Sequence, residues 1–439
     1  MNSFTSNSCD ARHAAMGILR RSFIPVLSVL VVTIVALLLR ISLLDYSNRD
    51  LVDHFLPWLE RIRGEGFWTA IAKPFSQYGY TPFYSYAIGL ADKILPAGTD
   101  GQVVIKSVSI VFDFIAAALV FSIARRRTSD FRYAVLGYAA MLFAPTIVLN
   151  GAFWGQSDIV YSTFLIACVY FLLTQSSFRA MVCFGLACAI KAQAAWLGPF
   201  VLMMVLRKRI RWWQLLLVPV IYLILALPAL YAGRSLLEVA TIYLTQASTQ
   251  SVLTYGAANL YFFPDYFFAH LGLWPAGISI IAKAGLLLTV VLTSLFAWRV
   301  ARGRLEPQNL LLAALVSVLI VPQFLPHMHN RYFFPADIFS IVLAVWNPAY
   351  WWVALVMQFN SFVTYISFLW GTQMLGQPVP AWLGIFGFTN NLQPVTGLIA
   401  VASIGNAVML FWLWRHLVDE LKSRPEAVES PPPRVRNPR

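Results

Sequence analysis

The chain has 439 residues, 59% of them hydrophobic and only 12% charged, with a mean hydropathy of +0.68. Soluble domains carry about 25% charged residues, so this composition excludes a water-soluble fold and points to lipid as the main solvent. The net charge of +13 sits in short Lys/Arg clusters between apolar runs, which is the positive-inside pattern of a membrane protein and not the contiguous basic face of a nucleic-acid binder.

Residues 1–22, with Arg12, Arg20 and Arg21, read as a cytoplasmic tail. The run Phe23 to Leu44 is longer than the h-region of a signal peptide and no Ala-x-Ala site follows it, so it reads as an uncleaved first span. Residues 45–102 then form a long first extracytoplasmic loop. The stretch Leu44 to Tyr86 holds Asp45, Asp50, Asp53, Glu60 and Glu65, five of the nineteen acids in the chain. A loop this long and this rich in acids and aromatics asks for a function. Within it, Leu51, Phe55, Trp58, Leu59 and Ile62 recur at helical spacing, which predicts an amphipathic helix on the membrane surface. Tyr80 to Leu95 reads as a second such helix or a partial span.

Val103 to Ala124 returns inward and ends in Arg125, Arg126, Arg127 and Arg132. Tyr133 to Phe153 goes out to Trp154-Gly155-Gln156-Ser157-Asp158, and Ile159 to Leu173 comes back. Arg179 and the Arg207–Arg211 cluster both read as cytoplasmic, so the segment between them goes out and back or dips in, with Lys191 near its middle. Two short helices with a Lys between them resemble interrupted membrane helices that bring polar groups to a site. Trp212 to Ala232 goes out to a second long polar and aromatic loop, 233–270. Leu273 to Trp298 returns to Arg299, Arg302 and Arg304. Leu310 to Leu325 goes out to His327-Met328-His329-Asn330-Arg331-Tyr332, and Phe333 to Trp346, Tyr350 to Leu369 and Thr396 to Trp414 follow. The sum is about twelve crossings at ~20 residues each. The expected fold is therefore an all-α polytopic bundle without a soluble domain or internal repeat, with the membrane domain at 23–415 and a disordered, Pro-rich cytoplasmic tail at 416–439.

This topology puts Asp50, Trp154–Asp158, Lys191 and His329–Tyr332 on the same side. These are the polar clusters most expensive to keep near lipid, and their convergence argues for one site. A half-shielded Asp50 suits a general base. Asp50 and Asp53 share a turn, where they also favour the dipole of a helix N-terminus. Arg331 and His329, with His327 nearby, suit a phosphate or carboxylate through charge-assisted hydrogen bonds, or anchor the chain at the interface. Lys191 calls for a buried anionic partner, and Asp113, inside the second span, is a candidate counterion. Trp154, Gln156 and Asp158 suit a sugar, the indole stacking on its face and the others meeting its hydroxyls. Ser157 or Asp158 equally suits a helix N-cap.

The four cysteines, Cys9, Cys168, Cys183 and Cys188, form no zinc or disulfide pattern and read as small buried hydrophobes. Neither phosphate-loop nor dinucleotide-binding glycine motifs occur. Asp-x-Asp is absent, which disfavours a nucleotide-sugar enzyme that holds its metal by that motif. No cofactor or metal is called for.

The ordered stretches SNRD, LPW, GFWTAIAKPFSQYGYTPFYSY, IKSVSIVFD, WGQSD, IKAQA and HMHNRYFF together resemble bacterial membrane glycosyltransferases of the GT-C superfamily. The nearest group is the predicted mannosyltransferases related to the second mannosyltransferase of GPI-anchor synthesis. The similarity covers roughly residues 23–345. It implies a GT-C bundle in the bacterial plasma membrane that uses a polyprenyl-phosphate sugar donor and a lipid or glycan acceptor on the extracytoplasmic face, with inversion. On this resemblance Asp50 is the acidic catalytic residue of the first loop. Beside it, Lys191, His329 and Arg331 are expected to hold the donor phosphate, and Asp53, Tyr80, Trp154, Gln156, Asp158 and Tyr332 to meet the sugar or acceptor. Two departures stand out. Asn330 replaces the Glu of the usual Met-His-Glu-Arg-Tyr, and Ala192 replaces the Pro of the usual Lys-Pro-Gln. A transporter or flippase of lipid-linked sugars, and a ligase moving a preassembled glycan, are the rival classes.

Overall fold

The computed structural model describes residues 26–75, 80–248, 252–271, 278–370, 374 and 396–422. The first described helix is the apolar α1, Val26–Ile41. A turn of π-helix, Leu51–Phe55, leads into α2 (Leu56–Glu65), and α3 (Phe67–Ile71) and α4 (Pro82–Ile94) complete the first loop. Then come α5 (Gly101–Arg127), α6 (Phe131–Leu142), α7 (Pro145–Val148), a π turn at Leu149–Phe153, α8 (Asp158–Leu173), α9 (Ser177–Ile190), a 3-10 turn at Ala192–Leu197, and α10 (Gly198–Leu206). The second half comprises α11 (Leu217–Tyr231), α12 (Leu236–Ser248), α13 (Phe262–Leu271), α14 (Ile278–Ala301), α15 (Pro307–Phe324), α16 (Phe334–Trp346), α17 (Trp351–Phe368) and α18 (Thr396–Glu420). Two-residue strands, β1 (Thr254–Tyr255) and β2 (Met328–His329), pair in parallel, Tyr255 opposite His329.

Five helices among the described residues are long and apolar enough to cross a bilayer, or six if the pair bent by 47° at α6 and α7 counts as one span. The reading of about twelve crossings also counted short and interrupted apolar segments, which this length criterion leaves out. Four further apolar helices, α1, α8, α9 and Ala192–Leu206, are shorter. The chain breaks where polar motifs must be delivered: at Pro145 ahead of Trp154, and at Lys191. Proline ends the helical pattern because it lacks the donor N–H and restricts the residue before it. Burial sorts the rest. Most of α15 is buried, whereas most of α14 is exposed at the surface of the protein, so α15 runs through the protein centre while α14 turns its apolar side chains outward to lipid.

The face read from the sequence in the first loop is real. Leu51, Phe55, Trp58, Leu59 and Ile62 are all buried, but against protein and not against a lipid surface. Phe55 and Trp58 pack edge-on to each other and to Tyr80 and Tyr84. The second outer loop, read as polar and aromatic, contains α12, β1 and α13. The C-terminal tail was expected from residue 416, yet α18 continues to Glu420. Residues 1–22 and the tail from 423 lie outside the described residues.

The α8–α9 hairpin has two chemically distinct ends. Asp158 and Lys191 lie at one. At the other, Arg209 donates to the Gln175 side chain at 2.7 Å. The same basic end continues through Arg207, which donates to the carbonyls of Val300, Ala301 and Gly303.

Candidate active site

Asn48 builds the turn that presents Asp50. Its side-chain oxygen accepts from Leu51 N–H at 3.1 Å, and its amide donates to the Trp154 carbonyl at 2.9 Å. Asp50 Oδ2 then accepts from Trp154 Nε1 at 2.9 Å and Gln156 Nε2 at 2.7 Å. Between these two donors Gly155 turns with φ +79°, a left-handed conformation that glycine adopts without strain. A Cβ there would stand 2.8 Å from the Leu51 side chain.

Behind Asp50 lies a second carboxylate. Asp158 pairs with Lys191 Nζ, accepts from Asn150 Nδ2 at 2.9 Å and lies 3.4 Å from Arg331 Nε. Arg331 Nη1 lies 4.0 Å from Asp50, so one guanidinium is shared by two carboxylates. Its Nε and Nη1 make no hydrogen bond among the described residues, and its Cζ lies 5.4 Å from the centroid of the Trp154 ring. Side-chain exposure separates front from back: Asp50 20% and Arg331 10%, against Lys191 8% and Asp158 0%. Tyr332, half-buried, has its ring 5.2 Å from Trp196 and 5.8 Å from His329. Tyr80 packs on Trp58 at 4.8 Å. Burial raises its hydroxyl above the usual range, so it stays protonated.

The four clusters singled out from the sequence therefore meet, but several residues have other work than expected. Trp154 is wholly buried and Gln156 nearly so, so neither has a face for a sugar. Both serve Asp50 from behind. Asp158 is enclosed by two cations and an amide, which leaves it no hydroxyl to bind. Lys191 has its anionic partner in Asp158, which displaces both its expected phosphate contact and the expected Asp113 pair. Asp113 binds Arg40 instead, at 2.7 Å. Asp53 is exposed and joins none of the site's hydrogen bonds among the described residues. His327 turns away to the Val252 carbonyl.

His329 also departs from expectation. Burial, and then Arg331 beside it, push its imidazole well below the usual value, so the ring is neutral. Its Nδ1 meets Asn330 Oδ1, and Asn330 Nδ2 donates to the Thr364 carbonyl at 3.4 Å. That orients the amide so that its oxygen faces the ring and Nδ1 carries the proton. Nε2 is then a lone pair. The ring can accept from a hydroxyl but cannot donate to a phosphate. Tyr255 stacks on it, with planes 10° apart and centroids 6.1 Å apart.

Asn48, Asn150, Arg40, Lys106 and Ser109 were not singled out from the sequence. For Arg40 and Lys106 the signal was the one applied to Lys191, an ionisable group within an apolar run. Among the described residues no three His, Cys, Asp or Glu side chains gather into a metal-ligand set.

The fold is shared with a solved structure, that of ArnT from Cupriavidus metallidurans bound to undecaprenyl phosphate. The match has a TM-score of 0.51 and 13% sequence identity, and covers 92% of this chain and 78% of that one. At that identity the likeness is one of architecture, a GT-C type membrane bundle. Among curated proteins none matches in sequence. The family model for glycosyltransferase family 87 matches residues 78–322, a span that contains Trp154, Gln156, Asp158 and Lys191. With more than half its length matched by that model, the chain belongs to glycosyltransferase family 87.

Proposed function

We propose that this membrane glycosyltransferase moves a single sugar from a polyprenyl-phosphate donor to a lipid or glycan hydroxyl on the extracytoplasmic face, by one direct displacement with inversion. The observation that carries the reading is the pairing of Asp50 and Arg331. They are the two most exposed of the four clustered ions and lie 4.0 Å apart, a base beside a cation. Asp50 takes the proton of the acceptor hydroxyl as its oxygen bonds to the anomeric carbon. The bond from that carbon to the phosphate oxygen breaks, and the polyprenyl monophosphate leaves. Arg331 meets the charge that develops on it. Trp154 and Gln156 hold the base in register, and Tyr80, Tyr332 and the Nε2 lone pair of His329 are left to meet sugar or acceptor hydroxyls.

Three further observations favour the reading. The solved relative in fold is described as bound to undecaprenyl phosphate, a lipid of the proposed leaving-group class. The basic clusters that mark a cytoplasmic end lie at the opposite end of the α8–α9 hairpin from Asp158 and Lys191. The sequence resemblance names mannose as the first sugar to offer.

The test is product analysis. Purified full-length protein in detergent is given polyprenyl-phosphate-linked radiolabelled mannose, then other sugars, with a membrane lipid extract as acceptor. A new glycosidic bond of inverted configuration, lost in Asp50→Asn, supports the proposal. Movement of the labelled donor across vesicles with no new bond overturns it in favour of a carrier.

A further inference from the structure

The stretch Ile105-Lys-Ser-Val-Ser-Ile-Val-Phe-Asp113 has no part in the chemistry above, yet its Lys106, Ser109 and Asp113 are fully buried. Lys106, Ser109 and Asp113 follow at intervals of three and four on α5, one above the other on a single helix face. Each reaches a segment that leads to Asp50 or to its hydrogen-bond donors.

Lys106 lies inside the protein, and its ammonium donates to three backbone carbonyls just beyond α1: Leu43 at 2.9 Å, Leu44 at 3.0 Å and Tyr46 at 2.7 Å. All three of its donors are used. These carbonyls follow directly on the C-terminal end of α1, where a cation is favoured by the helix dipole. The chain so fixed runs on through Asn48 to Asp50. One turn along α5, the Ser109 hydroxyl donates to the Gln156 carbonyl at 2.6 Å, fixing the backbone of the residue whose side chain holds Asp50. Asp113 binds Arg40 Nε, and the same guanidinium donates at 3.1 Å to the carbonyls of Ala36 in α1 and Leu142 at the end of α6. The two strands of chain that clasp Asp50, one after α1 and one after α7, are thus both referred to a single helix.

We infer that the Lys106–Ser109–Asp113 face of α5 is a positioning spine for transfer, in which Lys106 sets the height of Asp50 and Ser109 sets that of its partner Gln156. None of the three needs to touch substrate. A general base works only within hydrogen-bond reach of its proton, and a misplacement of about 1 Å costs up to ~100-fold in rate. The assignment rests on the proposed role of Asp50, and the test separates the two.

Lys106→Met removes the three hydrogen bonds at similar length and bulk, and Ser109→Ala removes one with little change of shape. Ser109→Thr restores the hydroxyl. In full-length protein, kcat per donor-binding site is expected to fall about 10- to 100-fold in Lys106→Met and in Ser109→Ala. Donor KM should stay within about threefold, since no phosphate contact is lost. Ser109→Thr should recover most of the loss. Hydrogen exchange should rise at residues 46–51 in Lys106→Met and at residues 155–156 in Ser109→Ala. A purely structural role predicts lower yield and thermal stability with unchanged kcat per binding site, and that result overturns the inference. So does raised exchange with undiminished turnover. If Lys106→Met does not fold, Ser109→Ala and its threonine rescue decide alone. A wild-type protein without transferase turnover defeats the functional reading, and the exchange measurement then still decides whether Lys106 and Ser109 hold the Asp50 segment.

Discussion

Lys191 and Asp158, thirty-three residues apart in sequence, form a buried ion pair behind the exposed Asp50–Arg331 couple. A pair of this kind contributes little net stability when intact, because desolvation offsets the attraction. Breaking one partner leaves a charge stranded in the protein interior.

Asp158→Asn or Lys191→Met alone should therefore destabilise the protein by about 3–5 kcal/mol. The double variant Asp158→Asn, Lys191→Met should be more stable than either single change. Thermal unfolding in detergent checks this. A double variant weaker than both singles would return Lys191 to a role outside the pair.

Asp50→Asn should remove transfer by about 100- to 10,000-fold, the usual contribution of a general base, while leaving the unfolding temperature near wild type. The hydrogen bonds from Trp154 and Gln156 survive to the amide oxygen. Full turnover in this variant, measured with a polyprenyl-phosphate sugar, would remove Asp50 from the chemistry.

Arg331→Ala should raise donor KM more than acceptor KM, because the guanidinium donors face the phosphate in the proposed reaction. Equal losses for both substrates would argue for a general loss of architecture.

Gly155→Ala should lose about 1–2 kcal/mol through its left-handed backbone alone, with the Leu51 contact at 2.8 Å added to it. Because Gly155 separates the two donors to Asp50, kcat should fall with stability. An unaffected kcat would show that the turn has slack.

His329 has its value pushed down from the ordinary 6.5, so the ring stays neutral above that pH and through some range below it. The stability it contributes is present above about 6.5 and is lost as pH falls through the lowered native value. Asn330→Glu should reverse the local balance, since a carboxylate at Nδ1 favours the imidazolium. The pH profile of kcat/KM should then gain a titration near neutrality that wild type lacks. A profile identical to wild type would show that Asn330 does not govern the ring.

The helical face of the first loop and the convergence of four polar motifs were legible in the sequence, because both are patterns of spacing. What each pattern faces was not. The Leu51–Ile62 face was read as meeting lipid because periodicity records that a face is apolar and not what covers it. Lys191 was correctly placed at a helix break, but its partner was misassigned to Asp113, because Arg40 is absorbed within the first apolar run and only packing brings it to Asp113. Trp154 and Gln156 were read as sugar contacts on residue type. Their burial against Asp50 is a tertiary fact that composition does not carry.

Asp50, Asp158, Lys191 and Arg331 sum to zero charge. An arriving phosphodiester finds directional donors and no surplus of positive potential. Once Asp50 has taken the acceptor's proton the four sum to +1, so the departing monophosphate meets one unbalanced cation. Product release should therefore follow loss of that proton, which returns the cluster to zero, while Arg331 and the long hydrocarbon tail share the affinity for the donor.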